Sequence, residues 1–306
     1  LRTDVPVSQW KTDGGGCAAM SQRTNIVYEY DGTFAGFLCC VFESFAQKEL
    51  PFGIISQEEE QIPLAPVKEI ETDRKKAERV YRSIERKMSA SARELIEMSF
   101  LTCIPQKERE MLDFFYLGYR YGKQVMNRLT DPTVDCLLKG VKHLTNEAHF
   151  TKEFLRFSMR NGMLVAKIGP KNNVLTLIKD HFAARFPNEN FLIYDCKHHL
   201  AFLHTPRQSG IIPAEEIELE QIDEEERYYQ RLWKLFYRTV AIKERYNPRC
   251  RMSHMPKRYW EYMTEFQEEE PVSKQDKITD TDFSVPTKLF DMKEKEGDSK
   301  ESAYYK

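Results

Sequence analysis

Asn161-Gly162 is the point at which this chain is most constrained. Asn and Gly tolerate the positive φ of a two-residue hairpin turn, and a turn of that length holds its strands in one register. Closing the turn there sets Leu155 against Ile168, Phe157 against Ala166 and Met159 against Leu164, so one side of the hairpin is apolar throughout. On the other side Arg156 lies opposite Lys167. Like charges directly across two strands repel, so an acid or an anionic ligand is expected beside them. Gly169 to Asn173, with Lys171 among them, then leads into a helix that turns Leu175, Ile178, Phe182 and Phe186 inward and whose start offers a phosphate site. Phe191 to Asp195 reads as an apolar strand and Leu200 to Leu203 as its hairpin partner. The order β-β-α-β-β places a helix on one face of an antiparallel sheet, an α+β arrangement.

Helices dominate what precedes the hairpin. After a strand at 25–30, Thr33 caps a helix whose Phe34, Phe37, Leu38, Val41, Phe42 and Phe45 fall on one face. Residues 57–66, acidic and then Pro-rich, read as a surface connection to a strand at 67–71. Thr72 or Asp73 caps the next helix, which buries Ala77, Val80, Tyr81, Ile84 and Met88 and lines its reverse face with Lys75, Arg79, Arg82 and Arg86. Further helices are expected over 91–103 and 106–129. The second is apolar nearly all round at Phe114 to Tyr119, and Gly118 and Gly122 admit a close neighbour. Asp131-Pro132 opens another helix, Pro being suited to the first turn. The expected fold is therefore α+β: a helix-rich N-terminal half packed with the antiparallel β-β-α-β-β unit, followed by a C-terminal amphipathic helix.

That last helix has two contrasting faces. Tyr229, Leu232, Trp233, Phe236 and Val240 recur at i, i+3, i+4, i+7 and i+11, the spacing of a buried stripe. Arg227, Arg231, Lys234, Arg238 and Arg245 form a cationic ridge opposite. Past Pro248 the chain runs Arg249-Cys250-Arg251-Met252-Ser253-His254-Met255-Pro256-Lys257-Arg258-Tyr259-Trp260. Cations interleaved with flat rings suit a phosphate backbone with unstacked bases. The candidate nucleic-acid contacts are thus Arg156, Lys167, Lys171, Arg227, Arg231, Lys234, Arg238, Arg249, Arg251, Lys257, Arg258, Tyr259 and Trp260. A solvated helix face followed by core aromatics is the plainer account of the same pattern.

Composition narrows the class. The 306 residues are 41% hydrophobic and 31% charged, as in a globular protein, and the net charge of −2 gives no general attraction to a polyanion. Charge is uneven, with eight acids over 215–226 and six bases over 243–258. No long apolar run or leader is seen, so a cytoplasmic protein without membrane contact is expected. Seven scattered cysteines without C-x-x-C point to reduced thiols and neither zinc nor a cluster. No cofactor or metal is expected. Residues 1–24 are expected to be an extension, 25–266 a single α+β domain and 267–306 a disordered polar tail. His149, His181 and His198-His199 with Asp195 are the places to look for acid–base work, yet no catalytic motif is present.

Several motifs together resemble a known family. Tyr28-Glu29-Tyr30-Asp31-Gly32-Thr33-Phe34, Glu71-Thr72-Asp73 with Ala77-Glu78-Arg79-Val80-Tyr81, Phe154-Leu155-Arg156-Phe157, His181-Phe182-Ala183 with Arg185-Phe186-Pro187, and Met255 to Trp260 are similar to the bacterial family called probable DNA metabolism proteins. The resemblance runs from about Asn25 to Phe266. It implies a DNA-linked accessory role beside a radical SAM protein of DNA repair or modification, some members being fused to a uracil-DNA glycosylase-like domain. It carries over no catalytic residues. This chain lacks the C-x-x-x-C-x-x-C of a radical SAM cluster, so that chemistry would belong to the partner. A protein–protein adaptor without DNA contact and a DNA-acting enzyme are the competing readings.

Overall fold

The computed structural model describes residues 23–57, 65–215, 217 and 222–267. The fold is α+β, with two sheets. In the first, β1 (Thr24–Tyr30) lies between β2 (Pro51–Ser56) and β3 (Val67–Glu69), all parallel. Parallel neighbours need a crossover, which α1 (Phe34–Gln47) supplies between β1 and β2. Thr33 caps α1 through its side chain, and Asp73 does the same for α2 (Arg74–Lys87). Arg23 pairs with Asp113 and donates to the Pro51 carbonyl.

Four more elements close the first core. They are α3 (Ala90–Phe100), α4 (Lys107–Tyr121), a 3-10 turn (Gly122–Asn127) and α5 (Pro132–Phe154), the last capped by Asp131 with Pro132 at its start. Phe114 and Phe115 of α4 are fully buried among Phe37, Val41, Ile84 and Met88. Gly118 is needed there, because a Cβ would come within 2.3 Å of Met88 Cε. The expected close neighbour is thus the end of α2.

The second sheet runs β4 (Ser158–Arg160), β5 (Met163–Ile168), β6 (Phe191–Asp195), β7 (Leu200–His204) and β8 (Ser209–Pro213) in that order. The hairpin forms as its sequence requires, with φ of 48° at Asn161 and 75° at Gly162 and Met159 opposite Leu164. The sheet is not antiparallel throughout: β5 and β6 are parallel, joined by α6 (Leu175–Arg185). Ala166, Ile168, Phe191, Ile193 and Phe202 pack on Leu175, Ile178 and Phe182 of α6 and on Leu144 and Ala148 of α5. Since Val134 and Leu137 belong to the first core, α5 reaches both. Finally come α7 (Glu224–Val240), α8 (Pro248–His254) and a 3-10 turn over Lys257–Tyr262.

Candidate nucleic-acid interface

The parallel pair β5–β6 opens at its carboxyl ends, the usual position for a binding crevice in such an arrangement. Three segments meet there. The loop Gly169–Asn173 follows β5, the turn Cys196–His199 follows β6, and the 3-10 turn Lys257–Tyr262 lies across them. Tyr262 rests directly on Gly169, where a Cβ would come within 2.2 Å of its hydroxyl oxygen. The same hydroxyl lies 3.6 Å from Cys196 Sγ. Burial first, and the neighbouring thiol second, push the Tyr262 hydroxyl well above its ordinary range.

A fully buried carboxylate anchors the loop after β5. Glu147, one turn before Thr151 on α5, accepts from the Lys171 amide at 3.1 Å, the Asn172 amide at 2.8 Å and Asn172 Nδ2 at 2.6 Å. Its charge is met by Arg258 at 3.3 Å, and its side chain is 0% exposed. Asn172 also accepts from the Cys103 amide and lies 2.9 Å from His143 Nδ1. These loop amides are the donors that a phosphate at this position would use. Glu147 already occupies them, so the anion held by this loop is the protein's own, short of the start of α6 where the phosphate site is expected.

Asp195 closes the turn after β6. Fully buried, it accepts from the Lys197 and His198 amides at 3.0 and 3.3 Å, and its second oxygen lies 2.7 Å from His198 Nδ1. The ring of His198 is thereby fixed in orientation. His149 instead pairs with Glu153 on the surface of α5, and His181 is exposed beside Phe182. Among the described residues no three His, Cys, Asp or Glu side chains are placed to hold a metal ion, and no helix is long and apolar enough to cross a membrane.

The model of a domain of unknown function, DUF4130, matches residues 105–265. That span is more than half of the chain. The chain belongs to the DUF4130 family. No curated protein matches it. The DUF4130 segment contains α5, the second sheet and the 3-10 turn Lys257–Tyr262, and hence every residue of the rim just described.

Within DUF4130 the candidate contacts separate into three groups. Lys171, Lys257 and Arg258 are exposed on the rim, joined by Lys197, which the motif reading passed over because a lone lysine in a turn carries no pattern. Arg156 and Lys167 do not form the expected repelling pair: β4 begins only at Ser158, and Arg156 turns instead to Glu265, at 2.8 Å from Nη2 and 3.3 Å from Nε. Glu265 is the expected acid, its side chain 2% exposed. Burial alone would raise its pKa, but hydrogen bonds from Arg156 and from Trp233 hold it below the ordinary glutamate range. Lys167 stays exposed on β5.

The third group lies on α7 and the segment after it. The inward face of α7 is not the expected stripe. Lys234, placed on the ridge, is 8% exposed, whereas Tyr229, Phe236 and Val240 of the expected core stripe are 48%, 55% and 60% exposed. Arg231 is half-buried with Nε unpartnered, while Arg227 and Arg238 remain exposed. The inward face is held by polar bonds, Glu226 accepting from the Met159 amide and Gln230 donating to Ser158. Arg249 is exposed, and Arg251 lies 4.9 Å from the Trp260 ring and 5.4 Å from that of Phe266. Trp260 stacks on Phe266 at 4.5 Å, and its indole N–H donates to the Met255 carbonyl. Tyr259 is buried against Phe150 and Phe154. Both rings serve the fold, so the expected stacking of bases on Tyr259 and Trp260 is corrected.

Proposed function

We propose that this chain binds nucleic acid along the carboxyl rim of β5 and β6 and acts as an accessory protein to a radical SAM enzyme in DNA metabolism. One observation carries the reading: three exposed lysines, Lys171, Lys197 and Lys257, reach one rim from three separate segments. Long cationic side chains on a rim meet phosphates without base specificity. The radical SAM partner is proposed from the motif resemblance, which the Met255–Trp260 stretch carries most specifically. Fluorescence anisotropy with labelled single- and double-stranded DNA over a salt series tests the binding. Each of Lys171→Gln, Lys197→Gln and Lys257→Gln should weaken binding to any sequence and lower the salt slope by about one unit. Absence of binding at low salt, or slopes unchanged in all three variants, overturns it. The partner is tested by whether a radical SAM protein encoded beside this chain copurifies with it.

The Asp195–His198 pair favours a second reading, acid–base chemistry on nucleic acid by this chain itself. A buried carboxylate 2.7 Å from Nδ1 holds the imidazole in one orientation, as a general acid–base residue requires. On that reading His198→Ala abolishes turnover of a nucleic-acid substrate while rim binding persists.

A further inference from the structure

The solvent side of α7 carries more apolar surface than a helix that faces only water would keep. Tyr229, Phe236 and Val240, at i, i+7 and i+11 on one stripe, stand 48% to 60% exposed, and Trp233 of the same stripe is 40% exposed. Apolar surface gathered in this way marks an interaction site. Trp233 stacks on Phe236 with ring centroids 5.8 Å apart, and its indole N–H is held by Glu265, so the ring pair is set before any partner arrives. Charge on the same helix is acidic in the first turn and basic from Arg227 onward. Glu224 and Glu225 stand in the first turn, Arg238 in the last, and Arg245 and Arg249 follow. A helix acidic at its start and basic beyond its end complements a second copy of itself run antiparallel, and the two macrodipoles then attract as well.

We propose that the solvent side of α7 is a homodimer interface, in which two copies of this chain pair α7 against α7 antiparallel about a two-fold axis. With the stripe centred on that axis, Trp233 packs on Phe236 of the second copy and Tyr229 on its Val240. Glu224 and Glu225 then reach the basic end that holds Arg245. Trp233 and Phe236 are already stacked on each other and Val240 gives a nucleobase no ring, which favours a protein surface here over a nucleic acid. The proposal is independent of the nucleic-acid reading of the rim.

Sedimentation equilibrium of the full chain across micromolar concentrations tests it. The expected result is a dimer whose dissociation constant rises with salt. Val240→Glu and Phe236→Glu should each give a monomer whose circular dichroism and thermal transition match the parent. Glu224→Arg together with Glu225→Arg should weaken the dimer about tenfold, and adding Arg245→Glu with Arg249→Glu should restore it. A chain monomeric at every concentration overturns the proposal, as does a dimer indifferent to Phe236→Glu. A dimer broken by Phe236→Glu but indifferent to both charge reversals refutes the antiparallel pairing. Loss of single-stranded oligonucleotide binding by a folded Phe236→Glu monomer, with a monomeric parent, would assign the face to nucleic acid instead.

Discussion

Arg156 shows how one side chain decides between opposite expectations. Opposed to Lys167 it would be a source of repulsion, and Arg156→Glu would stabilise the protein. Paired with Glu265, whose side chain is 2% exposed, it compensates a buried charge. Arg156→Glu then sets two carboxylates together and should cost about 3 kcal/mol or more, read as a lower urea midpoint with unchanged slope. The pair also predicts a pH dependence. Glu265 is held below its ordinary value by Arg156 and Trp233, so its contribution is fully present above about pH 4.3 and is lost as the pH falls below that. A stability profile from pH 6 to about pH 3 should fall less steeply in Arg156→Gln than in the parent. Glu147 makes a parallel case, since Glu147→Ala strips the Lys171 and Asn172 amides of their acceptor and leaves Arg258 unpaired. A loss of about 3 kcal/mol is expected by chemical denaturation. Neither pair was legible in the sequence, because each joins residues more than a hundred positions apart, or in different elements, with no motif spacing between them.

At the scale of elements, local signals served where capping and turn chemistry spoke. Thr33 and Asp131 start their helices as read, Asp73 is the cap of the two that Thr72-Asp73 offered, and Asn161-Gly162 turns as read. Edge strands were harder. Pro51-Phe52-Gly53-Ile54-Ile55-Ser56 carries Pro and Gly, which mask a strand pattern, and it was not read as a strand, yet it pairs in parallel with β1, an edge position where Pro is tolerated. β8 was likewise unread. The parallel pairing of β5 and β6 did have a signal, since a helix between two apolar strands is a crossover. α7 failed for a different reason: its periodicity shows two faces without saying which is inward, and a lysine can bury its stem while its ammonium reaches out. Trp260 belongs to this scale too. Stacked on Phe266 and bonded to the Met255 carbonyl, it ties the C-terminal turns together. Trp260→Ala should cost about 2–3 kcal/mol, less than a fully buried ring, with a lowered melting temperature before any ligand is added.

At the scale of the molecule, α5 joins the two cores. This 23-residue helix sends Val134 and Leu137 into the cluster around Phe114 and Phe115, and Leu144 and Ala148 into the cluster under the second sheet. A helix shared in this way lets neither cluster lose its packing without exposing part of the other's, so the two should unfold together. Two probes separate the halves. Far-UV circular dichroism reports mainly the helices of the N-terminal half, whereas Trp233 and Trp260 report α7 and the C-terminal turns, and Trp10→Phe removes the remaining indole. In that background the two urea transitions should superimpose. Leu137→Ala and Leu144→Ala, each truncating a side chain that is 0% exposed, should each cost about 2–5 kcal/mol. At slopes of about 1–3 kcal/mol per molar urea, both midpoints should move by roughly 1 M or more. The decisive comparison is between probes: Leu137→Ala must shift the fluorescence midpoint as far as the dichroism midpoint, although Leu137 lies in the other cluster. A dichroism shift that leaves the fluorescence transition in place would show that α5 frays between Leu137 and Leu144, and the rim would then be supported by the second core alone.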